Sequence, residues 1–111
     1  MNKEYIIKKN QEFNNIIKTG CEIKNKYLKV YFCKNQLNHI RFGISVPTKI
    51  GNAVLRNKIK RQVKEILRFD LPAYKNINND YVIIINKSFI NLIFDDKIKV
   101  INKLIKEELK K

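Results

Sequence analysis

Arg56, Asn57, Lys58, Lys60, Arg61, Lys64 and Arg68 fall within one stretch, Lys49 to Arg68, that reads KIGNAVLRNKIKRQVKEILR. At about 100° per residue they gather on one side of a helix, and Leu55, Ile59, Val63, Ile66 and Leu67 gather on the other. Glu65 is the only acid in the stretch. Such a face cannot neutralise itself. It attracts external anions, and a rigid line of cations suits a phosphate backbone. Lys49 and Asn52 open the stretch as weaker candidates for the same contact, and Asn52 also suits a helix N-cap.

A second constellation lies in the segment KYLKVYFCK, Lys26 to Lys34. Strand alternation points Leu28, Val30 and Phe32 one way and Tyr27, Lys29, Tyr31 and Cys33 the other. Two tyrosines flanking a lysine suit single-stranded RNA, whose unstacked bases pile on aromatic rings. They also suit cross-strand packing beneath a helix.

Chemistry performed by the protein itself finds little support. The sequence holds no HExxH, P-loop or GxSxG pattern. Asp95 and Asp96 pair up, but placement in the first turn of a helix explains them. No catalytic residue and no metal ligand is assigned. Cys21 and Cys33 are too few for a disulfide framework and form no CxxC unit, so free thiols in a reducing cytoplasm are expected.

The formal net charge is +14, from 24 basic and 10 acidic side chains, with 44% hydrophobic residues among 111. That composition describes one folded basic domain spanning residues 1–111, with nucleic acid or an anionic membrane surface as partner. The longest uninterrupted apolar run, Tyr81 to Ile85, has strand length, and the N-terminus lacks an apolar signal core. A membrane-surface role would expose the apolar arc of the basic helix, which the sheet needs as cover. Neither a membrane nor a small-molecule substrate is expected.

The elements that must hold these side chains follow from periodicity. Phe13, Ile16 and Ile17 mark a first helix from Lys9 to Thr19, with Asn10 as candidate N-cap and Gly20 after its end. Phe13 fits a core position as well as an exposed one. Ile40 to Val46 alternates, and with the strand before it suggests a hairpin. The basic helix follows Pro47 and Gly51. A loop from Phe69 to Asn79 leads to a strand at Tyr81 to Ile85, apolar on both faces and therefore central or covered twice. A last helix runs from about Phe94 to Leu109, with Phe94, Ile98, Ile101, Ile105 and Leu109 as its stripe. The order helix, strands, helix, strand, helix predicts an α+β fold. This is an α/β sandwich in which a small, mostly antiparallel sheet packs with about three helices.

The run Gly51-Asn52-Ala53-Val54-Leu55-Arg56-Asn57-Lys58-Ile59-Lys60-Arg61, continued by Lys64-Glu65, resembles the signature of the bacterial ribonuclease P protein subunit. Phe42-Gly43-Ile44-Ser45-Val46 and the Phe13 helix closing at Gly20 fit the same family. The resemblance spans about residues 5 to 110. It implies an accessory subunit of an endoribonuclease that removes the 5′ leader from precursor tRNA. Catalysis and Mg²⁺ would belong to a catalytic RNA, and the sandwich would contain a left-handed βαβ crossover. The resemblance places the catalytic RNA against Arg56, Asn57, Lys60 and Arg61. Lys58 stands where the family has arginine, keeping charge but losing the planar fork. It implies a leader cleft at Phe13 and Tyr31, with Tyr27, Lys29 and Ser45 as neighbours, and with Ile17 where a second aromatic is usual. The rival expectation is a general structured-RNA-binding or ribosome-associated basic protein. A protein-only nuclease is a more distant one.

Overall fold

The computed structural model describes residues 1–109. Four strands form one sheet: β1 (Cys21–Lys24), β2 (Leu28–Lys34), β3 (Arg41–Ser45) and β4 (Asn79–Ile85). Their order is β1-β2-β4-β3. β1 with β2 and β2 with β4 are antiparallel, whereas β3 with β4 is parallel. The expected hairpin between β2 and β3 does not exist. β4 lies between them, because Val82 and Ile83 are fully buried on opposite faces and only an interior position covers both. The hairpin is instead β1–β2. Asn25 closes its turn by accepting from the backbone N–H groups of Tyr27 and Leu28, at 2.8 and 2.9 Å. β1 was not anticipated; its CEIK sequence is short and nearly all exposed.

The helices cover both faces. α1 (Asn10–Thr19) lies on one. There Ile7, Ile16 and Val82 make a small core with Phe13, Ile17, Tyr31, Cys33 and Ile84 around it. Lys9 occupies the N-cap position expected of Asn10, which is instead the first helical residue. Gly20 ends the helix without a left-handed conformation, at φ −78°. Glycine is required there by close approach, since a Cβ would meet the Ile16 oxygen at 2.6 Å and the Phe32 oxygen at 2.8 Å.

The larger core lies on the opposite face. Leu28, Val30, Phe42, Tyr81 and Ile83 meet Ile59, Val63, Ile66 and Leu67 of α2 (Ala53–Phe69) there. The connection after α2 contains a further short helix, α3 (Leu71–Tyr74), whose two end residues are buried. α4 (Lys87–Ile90) follows β4 and buries Phe89. The last helical stretch is not uniform. α5 (Phe94–Ile101) passes through a π-helical turn, Asn102–Lys106, into α6 (Glu107–Leu109). Ile101 and Ile105 are buried as expected, but Phe94 remains 42% exposed. Lys97 is buried in its place on the inner side.

Candidate nucleic-acid interface

α2 begins at Ala53, directly after its N-cap Asn52, so the first residues of the Lys49–Arg68 stretch lie outside it. Lys49 sits in a separate 3-10 turn, Thr48–Ile50, and the cap is what divides them. The Asn52 side chain accepts from the Leu55 N–H at 2.9 Å and satisfies an otherwise orphaned donor. Along α2, Asn57, Lys58, Arg61, Lys64 and Arg68 are exposed, while Arg56 and Lys60 are half-buried. Arg56 is drawn back to the start of the helix by a bond from its Nε to the Gly51 oxygen at 3.2 Å. Arg68 is paired with Glu65 one turn before it. That pair is exposed and screened, so the free charge of the face lies mainly at Lys58, Lys60, Arg61 and Lys64.

The apolar arc predicted for α2 is the arc the fold buries. The cationic arc therefore faces outward by geometry. Gln62, between them, accepts from the Lys97 ammonium at 2.9 Å. Burial, together with the nearby charge of Lys58, lowers the pKa of Lys97 from its ordinary value. Lys97 also stands 5.5 Å above the Phe89 ring, a cation–π contact. Nothing in the sequence flagged Lys97, because a lysine at that position fits a solvated helix face equally well.

On the opposite side of the sheet, the pairing register aligns Glu22, Tyr31, Val82 and Gly43 across the four strands. It also aligns Lys24, Lys29, Ile84 and Ser45 as the next row. Lys29, Tyr31 and Ser45 thus share one face, as expected, and α1 roofs part of it. Phe13 projects from α1 onto the sheet directly above Gly43, where a Cβ would lie 2.5 Å from its Cε2. Glu22 is the cross-strand partner of Tyr31, and its carboxylate is within hydrogen-bonding influence of the Tyr31 phenol. That influence, more than burial, raises the phenol's pKa and keeps it a neutral donor. Tyr27 is elsewhere. It precedes β2, packs against the larger core, and has the Lys26 ammonium 5.0 Å over its ring. The alternation that grouped it with Tyr31 fails because the hairpin turn, not the strand, occupies that position.

An ionic cluster that sequence reasoning missed fixes α1 over this cleft. The Arg41 guanidinium donates from Nε and Nη2 to the two oxygens of Asp80, at 3.0 and 2.7 Å, and from Nη2 to Glu12 of α1 at 2.9 Å. Asn35 donates to Asp80 at 2.8 Å. Planar, two-pronged pairing of this kind is the strong form of a charged hydrogen bond. The Asp80 bond also raises the Arg41 pKa, so this cation is held protonated. Arg41 and Asp80 each look like a stray charge in an apolar strand. Only the parallel pairing of β3 with β4 makes them partners.

Among the described residues, no group of three or more His, Cys, Asp or Glu side chains is placed to hold a metal ion, and no helix is long and apolar enough to cross a membrane. Cys21 and Cys33 are free thiols.

This arrangement has a counterpart among known proteins. The family profile described as Ribonuclease P matches residues 1–108. The chain belongs to the ribonuclease P protein family. It is 40% identical over 107 residues to the ribonuclease P protein component of Mycoplasma capricolum subsp. capricolum, covering 96% of this chain and 98% of that one. It is 42% identical over 107 residues to the component from Mycoplasma mycoides subsp. mycoides, with the same coverage. Among solved structures, the ribonuclease P protein of Staphylococcus aureus superposes with a TM-score of 0.86 at 34% identity, covering 94% of each chain. That of Thermotoga maritima gives 0.79 at 31% identity, over 90% of this chain and 94% of that one. The α+β sandwich read from the sequence is thus the fold of ribonuclease P proteins.

Proposed function

We propose that this chain is the accessory protein subunit of a ribonuclease P endoribonuclease that removes the 5′ leader from precursor tRNA. It uses two faces for two RNAs. The cationic arc of α2, with Arg56, Asn57, Lys58, Lys60, Arg61 and Lys64 at its centre and Lys49, Asn52 and Arg68 at its ends, docks on phosphates of the catalytic RNA. The cleft beneath α1, with Phe13, Lys29, Tyr31 and Ser45, receives the single-stranded leader. Catalysis and the Mg²⁺ ions it needs belong to the RNA partner, and the assembly works in the cytoplasm. Tyr27 has no part in the cleft, given its position against the larger core.

The observation that carries this reading is the separation of the two surfaces. Phosphate-type chemistry and stacking-type chemistry lie on opposite faces of one sheet. A protein holding a folded RNA on one side and a loose strand on the other needs that division. Helix cations recognise a folded backbone with little reading of sequence. Aromatic rings beside a lysine hold flexible single strands, at about 1–3 kcal/mol per stacked base.

The test is cleavage of a 5′-extended precursor tRNA at low Mg²⁺ by a bacterial ribonuclease P RNA, with and without the protein. Strong stimulation, with no cleavage by the protein alone, is expected. Equal rates with and without protein would overturn the reading in favour of a general RNA-binding protein. Cleavage by the protein alone would move the chemistry onto this chain.

A further inference from the structure

A cavity of about 370 Å³ opens between the last turns of α2 and the α5 stretch. That size is at the small end of ligand sites, roughly 300–1,000 Å³. Phe69 and Phe94 stand at it, 84% and 42% exposed. Ile66 and Ile98 line it, and Asn102 closes one side. The Asn102 Oδ1 is buried without a hydrogen-bond partner, an arrangement folded proteins avoid. Asn102 is also the first residue of the π-helical turn. Such turns are rare and concentrate at functional sites.

The position of this cavity says what it would hold. Phe69 directly follows Arg68 at the end of the cationic helix, so a strand whose phosphates follow Lys64 and Arg68 arrives at the ring. Glu65, paired with Arg68, lines the same opening. The Arg68 hydrogen bond lowers the Glu65 pKa and keeps it an acceptor. Asp70 and Lys106, paired with each other, also line the opening, while Glu65 and the Asn102 carbonyl can accept hydrogen bonds between two aromatic rings and two isoleucines. An exposed phenylalanine beside a phosphate track favours a nucleobase over a protein side chain, because the interface it continues is cationic.

We propose that this cavity is a nucleobase pocket. It takes one unstacked base of the RNA docked on α2, a base bearing an exocyclic amine that donates to Asn102 or Glu65 while its ring stacks on Phe69. The proposal rests on the reading of α2 as an RNA-binding face and extends that face past its last lysine.

The protein is titrated with AMP, CMP, GMP and UMP while its backbone amides are followed by NMR. The three amine-bearing nucleotides are expected to shift the amides of Phe69, Phe94 and Asn102, and UMP to bind several-fold more weakly. Phe69→Ala, at an exposed position where folding is not at risk, should weaken AMP about tenfold. Asn102→Leu combined with Glu65→Met, which removes both acceptors, should erase the preference over UMP and keep the stacking. Shifts that inorganic phosphate reproduces would overturn the proposal. So would the absence of shifts at these residues. Shifts that depend on protein concentration alone would assign the patch to a second copy of the chain instead. A negative result leaves the cleavage assay above unaffected, so the two readings fail separately.

Discussion

At the scale of single residues, the cleft depends on what glycine leaves out. Gly43 lets the Phe13 ring rest on the sheet, and Gly43→Ala would put a methyl 2.5 Å from that ring. The ring must then lift. We expect weaker binding of leader-bearing precursor tRNA with unchanged affinity for the catalytic RNA, measured by fluorescence binding to each. Tyr31 offers a cleaner test of stacking. Tyr31→Phe keeps the ring and loses only the hydroxyl, so leader affinity should hold. Tyr31→Ala should lose about 1–3 kcal/mol for precursor tRNA and little for mature tRNA. Equal losses for both tRNAs would remove Tyr31 from the leader cleft. Titration separates two other side chains. Burial pushes the Tyr74 phenol up to about 12 from an ordinary 10.0. Between those values the native state holds a proton that the unfolded chain has released, so stability is intact below 10 and is lost as pH rises toward 12. Lys97 acts in the opposite sense. Its pKa is lowered from 10.5, so the native state binds fewer protons than the unfolded chain just below that value, and stability rises with pH there. Melting temperatures across the alkaline range should fall less steeply in Tyr74→Phe, with the rest of the fall left to Tyr81, and should lose the earlier rise in Lys97→Met.

At the scale of elements, α1 is tied to the sheet through charge as well as through its small core. Glu12, Arg41 and Asp80 join α1, β3 and β4, and the Asp80 side chain is only 7% exposed. Removing Asp80 leaves the largely buried Arg41 guanidinium with only the more exposed Glu12 as partner. Asp80→Ala should therefore cost about 1.5–3 kcal/mol in urea unfolding, and Asp80→Asn less if the bond to Asn35 survives. A loss below about 1 kcal/mol for Asp80→Ala would mean that β3 and β4 are joined by packing and backbone pairing alone. This cluster also marks how far the sequence could be read. Period revealed α1, α2 and β4, the Asn52 cap marked the start of α2, and the outward arc of α2 was legible in its residues. Pairing was not legible. The alternation in β2 and β3 is compatible with a hairpin, and only the doubly buried β4 decides against one. The ionic cluster, the position of Tyr27 and the place of β1 all depend on that pairing, so they were hidden with it. Phe94 was misplaced because a helical stripe does not reveal where its partner helix ends.

At the scale of the whole molecule, a formal charge of +14 must be compacted into a fold with a radius of gyration of 13.1 Å. Self-repulsion opposes that compaction, and bound anions relieve it. Sulfate or phosphate should raise the melting temperature more than chloride at matched ionic strength. Indifference to the anion would mean that the cations are too dispersed to form a site. The strand order carries a separate consequence for biosynthesis. Among the described residues, β4 is the last of the sheet's strands to be synthesised, and it occupies an interior position between β2 and β3. Before Asn79–Ile85 has emerged, the nascent chain can form a β1–β2 ribbon, marginal by itself, and α2 has no complete sheet on which to lay its apolar arc. The cationic helix is thus translated well before it is positioned. The geometry of both faces becomes available only when that one strand inserts and completes them together.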